Sequence, residues 1–111
     1  MRILSADFIK SYENKIVNIH PALLPSFKGA HGIKDAFEYG VKVTGVTVHL
    51  VTSDMDAGPV ILQSAVKVTE DDTLETLAQA IHKEEHKIYP RAIQLFIEGR
   101  LKIEGRKVRI R

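Results

Sequence analysis

The 111-residue chain has no cysteine, which excludes disulfides and thiolate metal sites and agrees with a reducing compartment. It also has no apolar run long enough to cross a bilayer. Met1-Arg2-Ile3-Leu4 is followed at once by Ser5, Asp7 and Lys10, unlike the basic start and apolar run of a secretory signal. The expected location is cytoplasmic, with no membrane partner. Neither sign of charge predominates, and a formal net charge of +2 is too small to argue for a nucleic-acid partner. Internal repeats, low-complexity segments and linker-like stretches are all missing. The length suits one domain with a modest core.

What is present is a regular alternation of apolar and punctuating residues. Ala6 to Tyr12 reads as a short helix behind a Ser5 N-cap, and Lys15 to Ile19 as a buried-type strand. Pro21 to Gly32 is a loop, and a helix opens at His31 or Gly32 and runs to Tyr39, where Gly40 closes it. Lys42–Val51 and Pro59–Val68 read as two strands, antiparallel because the polar connection Thr52 to Gly58 is short. Asp72 is expected to cap a long helix whose apolar stripe is Leu74, Leu77, Ile81, Ile88, Leu95 and Phe96, with Pro90 kinking or dividing it. Charged and apolar residues alternate around Glu104-Gly105, a β-hairpin pattern. Its Lys and Arg residues suit an exposed edge that must not pair with another sheet.

Asn18 and His20 carry the first chemical signal. Side chains alternate across a strand, so these two share one face while Val17 and Ile19 take the other, and Pro21 ends the ladder. An amide donor and an imidazole that titrates near neutrality, held side by side, can stabilise an oxygen that gains charge. Asp56, in the loop Asp54-Met55-Asp56-Ala57-Gly58-Pro59, offers a carboxylate to orient the imidazole and relay a proton. No seryl or cysteinyl nucleophile accompanies them, so direct displacement fits better than a covalent intermediate. Asn and His beside a proline-rich loop also occur simply as turn and capping residues. His31 either reaches the same site or caps the following helix, and His49, alternating outward with Thr47, reads as structural. His82-Lys83-Glu84-Glu85-His86 has the H-x-x-E-H order of inverted zinc proteases, but a solvated helix face explains it as well.

Asn18-Ile19-His20-Pro21 with Leu23-Leu24-Pro25 resembles the signature of the 10-formyltetrahydrofolate-dependent formyltransferases. Gly45-Val46-Thr47-Val48-His49 leading into Met55-Asp56-Ala57-Gly58-Pro59-Val60-Ile61 resembles it too. Met1 to Leu4 and Glu85-His86-Lys87-Ile88-Tyr89-Pro90 are similar to the branch of that family that formylates glycinamide ribonucleotide in purine biosynthesis. The likeness runs along nearly the whole chain. It implies that Asn18, His20 and Asp56 are the catalytic amide, imidazole and carboxylate. It implies folate contacts from Met1, Arg2, Ile3 and Leu4, from Asn18, and from Thr52, Ser53, Asp54, Met55 and Asp56. His82, Lys83, Glu84 and Glu85 match a segment that contacts glycinamide ribonucleotide, with Glu85 at the position that binds ribose hydroxyls. His31 matches a further active-site histidine. The co-substrate implied is 10-formyltetrahydrofolate, with no metal.

Two departures from the family pattern stand out. Ser53 occupies a position where an acidic residue is common, and no Gly-rich strand-to-helix turn precedes the catalytic motif, the first glycine being Gly29. The fold class expected is therefore α/β: the C-terminal, catalytic half of a formyltransferase-type, Rossmann-like three-layer fold with a mixed sheet and flanking helices. The N-terminal nucleotide-binding half is expected to be absent, leaving residues 1–111 as a single partial domain. Such a chain is expected to be weakly active alone, and either to self-associate through the surface left open or to need the absent half supplied in trans. The alternatives are another formyl-folate enzyme (methionyl-tRNA formyltransferase or formyltetrahydrofolate deformylase) or a non-catalytic folate-binding or subunit-association fragment. The Glu-His-x-Ile-Tyr-Pro segment favours the nucleotide enzyme.

Overall fold

The computed structural model describes residues 17–24, 26, 31–51 and 58–111. The expected helix Ala6 to Tyr12 and the start of the first strand at Lys15 lie outside them. Strand β1 (Val17–His20), helix α1 (Gly32–Tyr39), strands β2 (Val43–Leu50) and β3 (Val60–Lys67), helix α2 (Leu74–Ile97) and the hairpin β4 (Leu101–Glu104) and β5 (Lys107–Ile110) follow in order. The first three strands form one sheet in the order β1-β2-β3, and β4-β5 form a second.

β2 is central, and its Val-Thr-Gly-Val-Thr-Val-His-Leu run is buried from Thr44 to Leu50. Branched residues favour this extended, two-sided burial. It pairs antiparallel with β1, setting Asn18 opposite His49 and His20 opposite Thr47. It also pairs antiparallel with β3, setting Thr47 opposite Gln63 and Val46 opposite Ser64. The register shifts between Val48 and His49, so Ile61 is the extra residue of a bulge and packs into the core beside Val48, Leu50 and Ala92.

One sheet face is apolar. Val46 and Val66 meet Leu77 and Ile81 of α2, with Ile33 and Phe37 of α1 against the same cluster. Both helices therefore lie on this face. Among the described residues the arrangement is mixed α/β: a three-stranded antiparallel sheet with both helices on one face, and a separate antiparallel hairpin. The short connection between β2 and β3 dictates the antiparallel turn.

Local signals are otherwise placed much as the sequence reads them. Gly40 closes α1 at φ +87, where an L side chain would be strained. The cap of α2 is Thr73 rather than Asp72: the Thr73 side chain accepts the Thr76 N–H, and the Thr76 hydroxyl returns to the Thr73 N–H. Asp72 is occupied one turn earlier, accepting from the Thr69 N–H and the Thr76 hydroxyl, and the Thr69 backbone bond is the main reason its carboxyl is held below its ordinary value. Leu74 is 38% exposed, so the buried stripe begins at Leu77 and continues through Ile81, Ala92 and Leu95. Pro90 sits inside α2 at an exposed position without dividing it. Solvent there can take the carbonyl that a proline leaves without an N–H. No helix among the described residues is long and apolar enough to cross a membrane.

Candidate active site

The other sheet face is polar and yet closed. Asn18, His20, Thr47 and His49 point to it by their register, and Thr47, His20 and His49 are each 0–1% exposed. The expectation that Thr47 and His49 alternate outward is right about the face and wrong about its exposure. The chain leaving β1 folds back over this face and covers it. The Ala22 N–H donates to the His20 carbonyl at 2.9 Å, closing a tight turn around Pro21, whose fixed φ suits it. The Thr47 hydroxyl donates to the Ala22 carbonyl at 2.7 Å and accepts the Leu24 N–H at 3.0 Å. Gln63 Nε2 donates to the Leu24 carbonyl at 2.9 Å and to the Thr47 hydroxyl at 3.0 Å.

Gly45 makes this close approach possible. A Cβ there would collide with the Ser64 carbonyl and come within 2.7 Å of Leu23 Cδ2. His20 is thus the last residue of a strand whose exit is fixed at both the Ala22 and the Leu24 peptide.

Within the pair, Asn18 Oδ1 accepts the Ile19 N–H at 2.9 Å, which orients the side-chain amide. His49, opposite Asn18, lies within hydrogen-bonding distance of the Leu50 carbonyl through Nδ1 (3.0 Å); a carbonyl only accepts, so Nδ1 carries the proton. Asp56 and the rest of the expected folate loop, Thr52 to Met55, lie outside the described residues, as do Met1, Arg2, Ile3 and Leu4. His31 is the exposed residue preceding α1 and makes no side-chain capping bond.

The second expected group lies along α2. His82, Glu85, His86, Tyr89 and Pro90 line a cleft of about 280 Å³ that Ile19 closes from β1. Spacings of three, four and seven residues bring these side chains to one helix face. His82 Nδ1 and Glu85 Oε1 are 2.6 Å apart, the imidazole donating to a carboxylate that can only accept. The Tyr89 hydroxyl donates to the Val17 carbonyl at 3.3 Å, tying this helix face to the strand that carries Asn18 and His20.

Lys83 is exposed and outside the cleft. Glu84 turns to the sheet, where the Ser64 hydroxyl donates to it at 2.9 Å and Lys87 approaches at 3.4 Å. The Ser64 bond is the main cause of a Glu84 carboxyl held below its ordinary value. Among the described residues, no three His, Asp or Glu side chains are disposed to hold a metal ion. Residue reading did not single out Thr47 and Gln63. The available signal was Thr47-x-His49, which repeats the period of Asn18-x-His20 on the next antiparallel strand.

Comparison with known proteins agrees with this fold. Residues 1–93 match the family model described as Formyl transferase, the N-terminal domain of that family. The chain is 51% identical over 94 residues to the phosphoribosylglycinamide formyltransferase of Bacillus subtilis, covering 85% of this chain and 48% of that protein. It is 52% identical over 103 residues to the trifunctional purine biosynthetic protein adenosine-3 of Gallus gallus, covering 93% of this chain and 10% of that one. The crystal structure of phosphoribosylglycinamide formyltransferase from Anaplasma phagocytophilum superposes with a TM-score of 0.94 at 42% identity, over 99% of this chain and 54% of that chain.

The chain thus spans about half the length of the bacterial relative and a tenth of the trifunctional one. One expectation is overturned. The segment is not a C-terminal catalytic portion, because the domain it matches from residue 1 is the N-terminal formyl transferase domain, and Asn18, His20 and Asp56 all fall inside that match. The lack of an early Gly-rich turn prompted the opposite reading. With the motif, the fold and the family model in agreement, the chain belongs to the formyl transferase family.

Proposed function

We propose that the protein transfers the formyl group of 10-formyltetrahydrofolate to the amine of glycinamide ribonucleotide, a step of purine biosynthesis. The observation that carries this reading is the Asn18–His20 pair, held on one face of β1 opposite His49 and Thr47 of β2. The amine attacks the formyl carbon, a C–N bond forms, and negative charge grows on the formyl oxygen. The Asn18 NH₂ and the His20 imidazole donate to that oxygen, and a single such donor is worth about 10²–10³ in rate. The tetrahedral intermediate collapses as the bond to the folate nitrogen breaks. Asp56, directly or through a water, moves the proton from the attacking amine to that nitrogen. Glu85, oriented by His82, accepts the ribose hydroxyls of the nucleotide.

Tight burial of His20 favours this role, because a donor already removed from water loses little on meeting its oxyanion. The test is incubation with both substrates, following formylglycinamide ribonucleotide by mass and folate by absorbance. Nucleotide-dependent transfer that Asp56→Asn abolishes, with folate binding retained, is the expected result. Formate release that is indifferent to the nucleotide would overturn the reading in favour of a hydrolase.

A further inference from the structure

We infer that Gln63 is a positioning residue for formyl transfer, acting on His20 through the backbone that follows it. The inference rests on the proposed reaction for its kinetic consequence and on geometry for everything else. Gln63 is exposed and carries no charge, on the β3 edge of the sheet rather than on the catalytic strand. Its side chain nevertheless spans two strands. One amide nitrogen donates to the Leu24 carbonyl at 2.9 Å and to the Thr47 hydroxyl at 3.0 Å. That hydroxyl holds the Leu24 N–H and the Ala22 carbonyl, and the Ala22 N–H holds the His20 carbonyl. Four residues after β1 are thereby fixed to β2 and β3 through a single side-chain amide and a single hydroxyl.

Strand ends fray, and His20 is the last residue of β1 with a proline next in line, so its ladder cannot continue. A donor to a developing oxyanion must be held within a fraction of an ångström of its productive place. Gln63 supplies that restraint from outside the site. An exposed glutamine needs no side-chain burial to do this, so its loss weakens the restraint while the core remains packed.

Two variants keep the side chain's length and remove its donors: Gln63→Met and Gln63→Glu. The expected result is a 10- to 100-fold fall in kcat with KM for both substrates within about threefold, and an unfolding midpoint close to that of the wild type. An unchanged kcat, or a loss of activity that tracks the fraction of unfolded protein, would overturn the inference. Hydrogen exchange at the Leu24 amide separates this from the reaction itself. In Gln63→Met that amide should exchange at least about tenfold faster, whatever the substrate, because the hydroxyl holding it has lost its own anchor. Wild-type protein without transferase activity would retire the proposed function while leaving the exchange experiment decisive. An unchanged Leu24 exchange rate would retire the restraint.

Discussion

Replacing Thr47 by valine tests whether the polar sheet face is held by hydrogen bonds or by packing. The Thr47 side chain is 0% exposed, and its hydroxyl uses its whole capacity: one proton donated to the Ala22 carbonyl, and two lone pairs taking the Leu24 N–H and Gln63 Nε2. Valine has the same shape and none of these functions. It leaves the Ala22 carbonyl and the Leu24 N–H without partners under the loop, at about 1–3 kcal/mol for each buried group. The added methyl returns no more than about 1 kcal/mol of apolar burial. The net cost is about 1–5 kcal/mol, a large share of the ~5–15 kcal/mol typical of a folded domain.

Serine supplies the contrast. Thr47→Ser keeps all three hydrogen bonds and loses one buried methyl, at about 1 kcal/mol. The stability order is therefore threonine, then serine, then valine, whereas a face held by packing alone would place valine level with threonine and serine last. Urea unfolding followed by circular dichroism measures this directly, provided the m-values agree. A valine variant at least as stable as the serine variant would refute the reasoning.

Much of the local structure was legible because its determinants are local. Branched runs gave β2 and β3, Gly40 marked the end of α1, and the alternation near Glu104-Gly105 marked the hairpin whose turn is Gly105-Arg106. Asp72 and Thr73 are both competent caps. Which one serves is decided by the Thr69 N–H, which engages the Asp72 carboxylate and leaves Thr73 to face the helix. The pairing of Asn18 with His20 followed from the period of a strand alone.

What stayed illegible was non-local. An alternating polar residue on a strand normally faces water, and nothing in the Thr47-x-His49 spacing tells that the Ala22–Leu24 segment folds over it. The separation of Glu84 from Glu85 is likewise invisible in a charge run. About 100° of helix rotation sends one carboxylate to Ser64 and the other to the cleft.

Two further perturbations probe the sheet. Gly45→Ala places a Cβ against the Ser64 carbonyl, a backbone atom that cannot swing aside, and should cost about 1–3 kcal/mol or more; thermal unfolding checks it, and a wild-type midpoint would refute the close approach. Ser64→Ala tests the tie between β3 and α2 through its proton linkage. The Ser64 hydroxyl donates to the ionised Glu84 carboxylate, which lowers that group's pKa in the folded chain, with Lys87 and Lys83 adding smaller favourable effects. A depressed folded-state pKa means a contribution to stability that is fully present above the ordinary glutamate range and is lost as the pH falls through the folded value. Ser64→Ala removes the largest cause, so Glu84 should titrate at higher pH than in the wild type. The acid-side slope of stability against pH should flatten accordingly. Carboxyl-carbon NMR titration of Glu84 reads the first effect and urea unfolding across the acid range the second. An unchanged Glu84 titration in Ser64→Ala would mean that the hydroxyl does not favour the charged carboxylate, and that α2 is held to β3 by the packing of Leu77 and Ile81 against Val46 and Val66 alone.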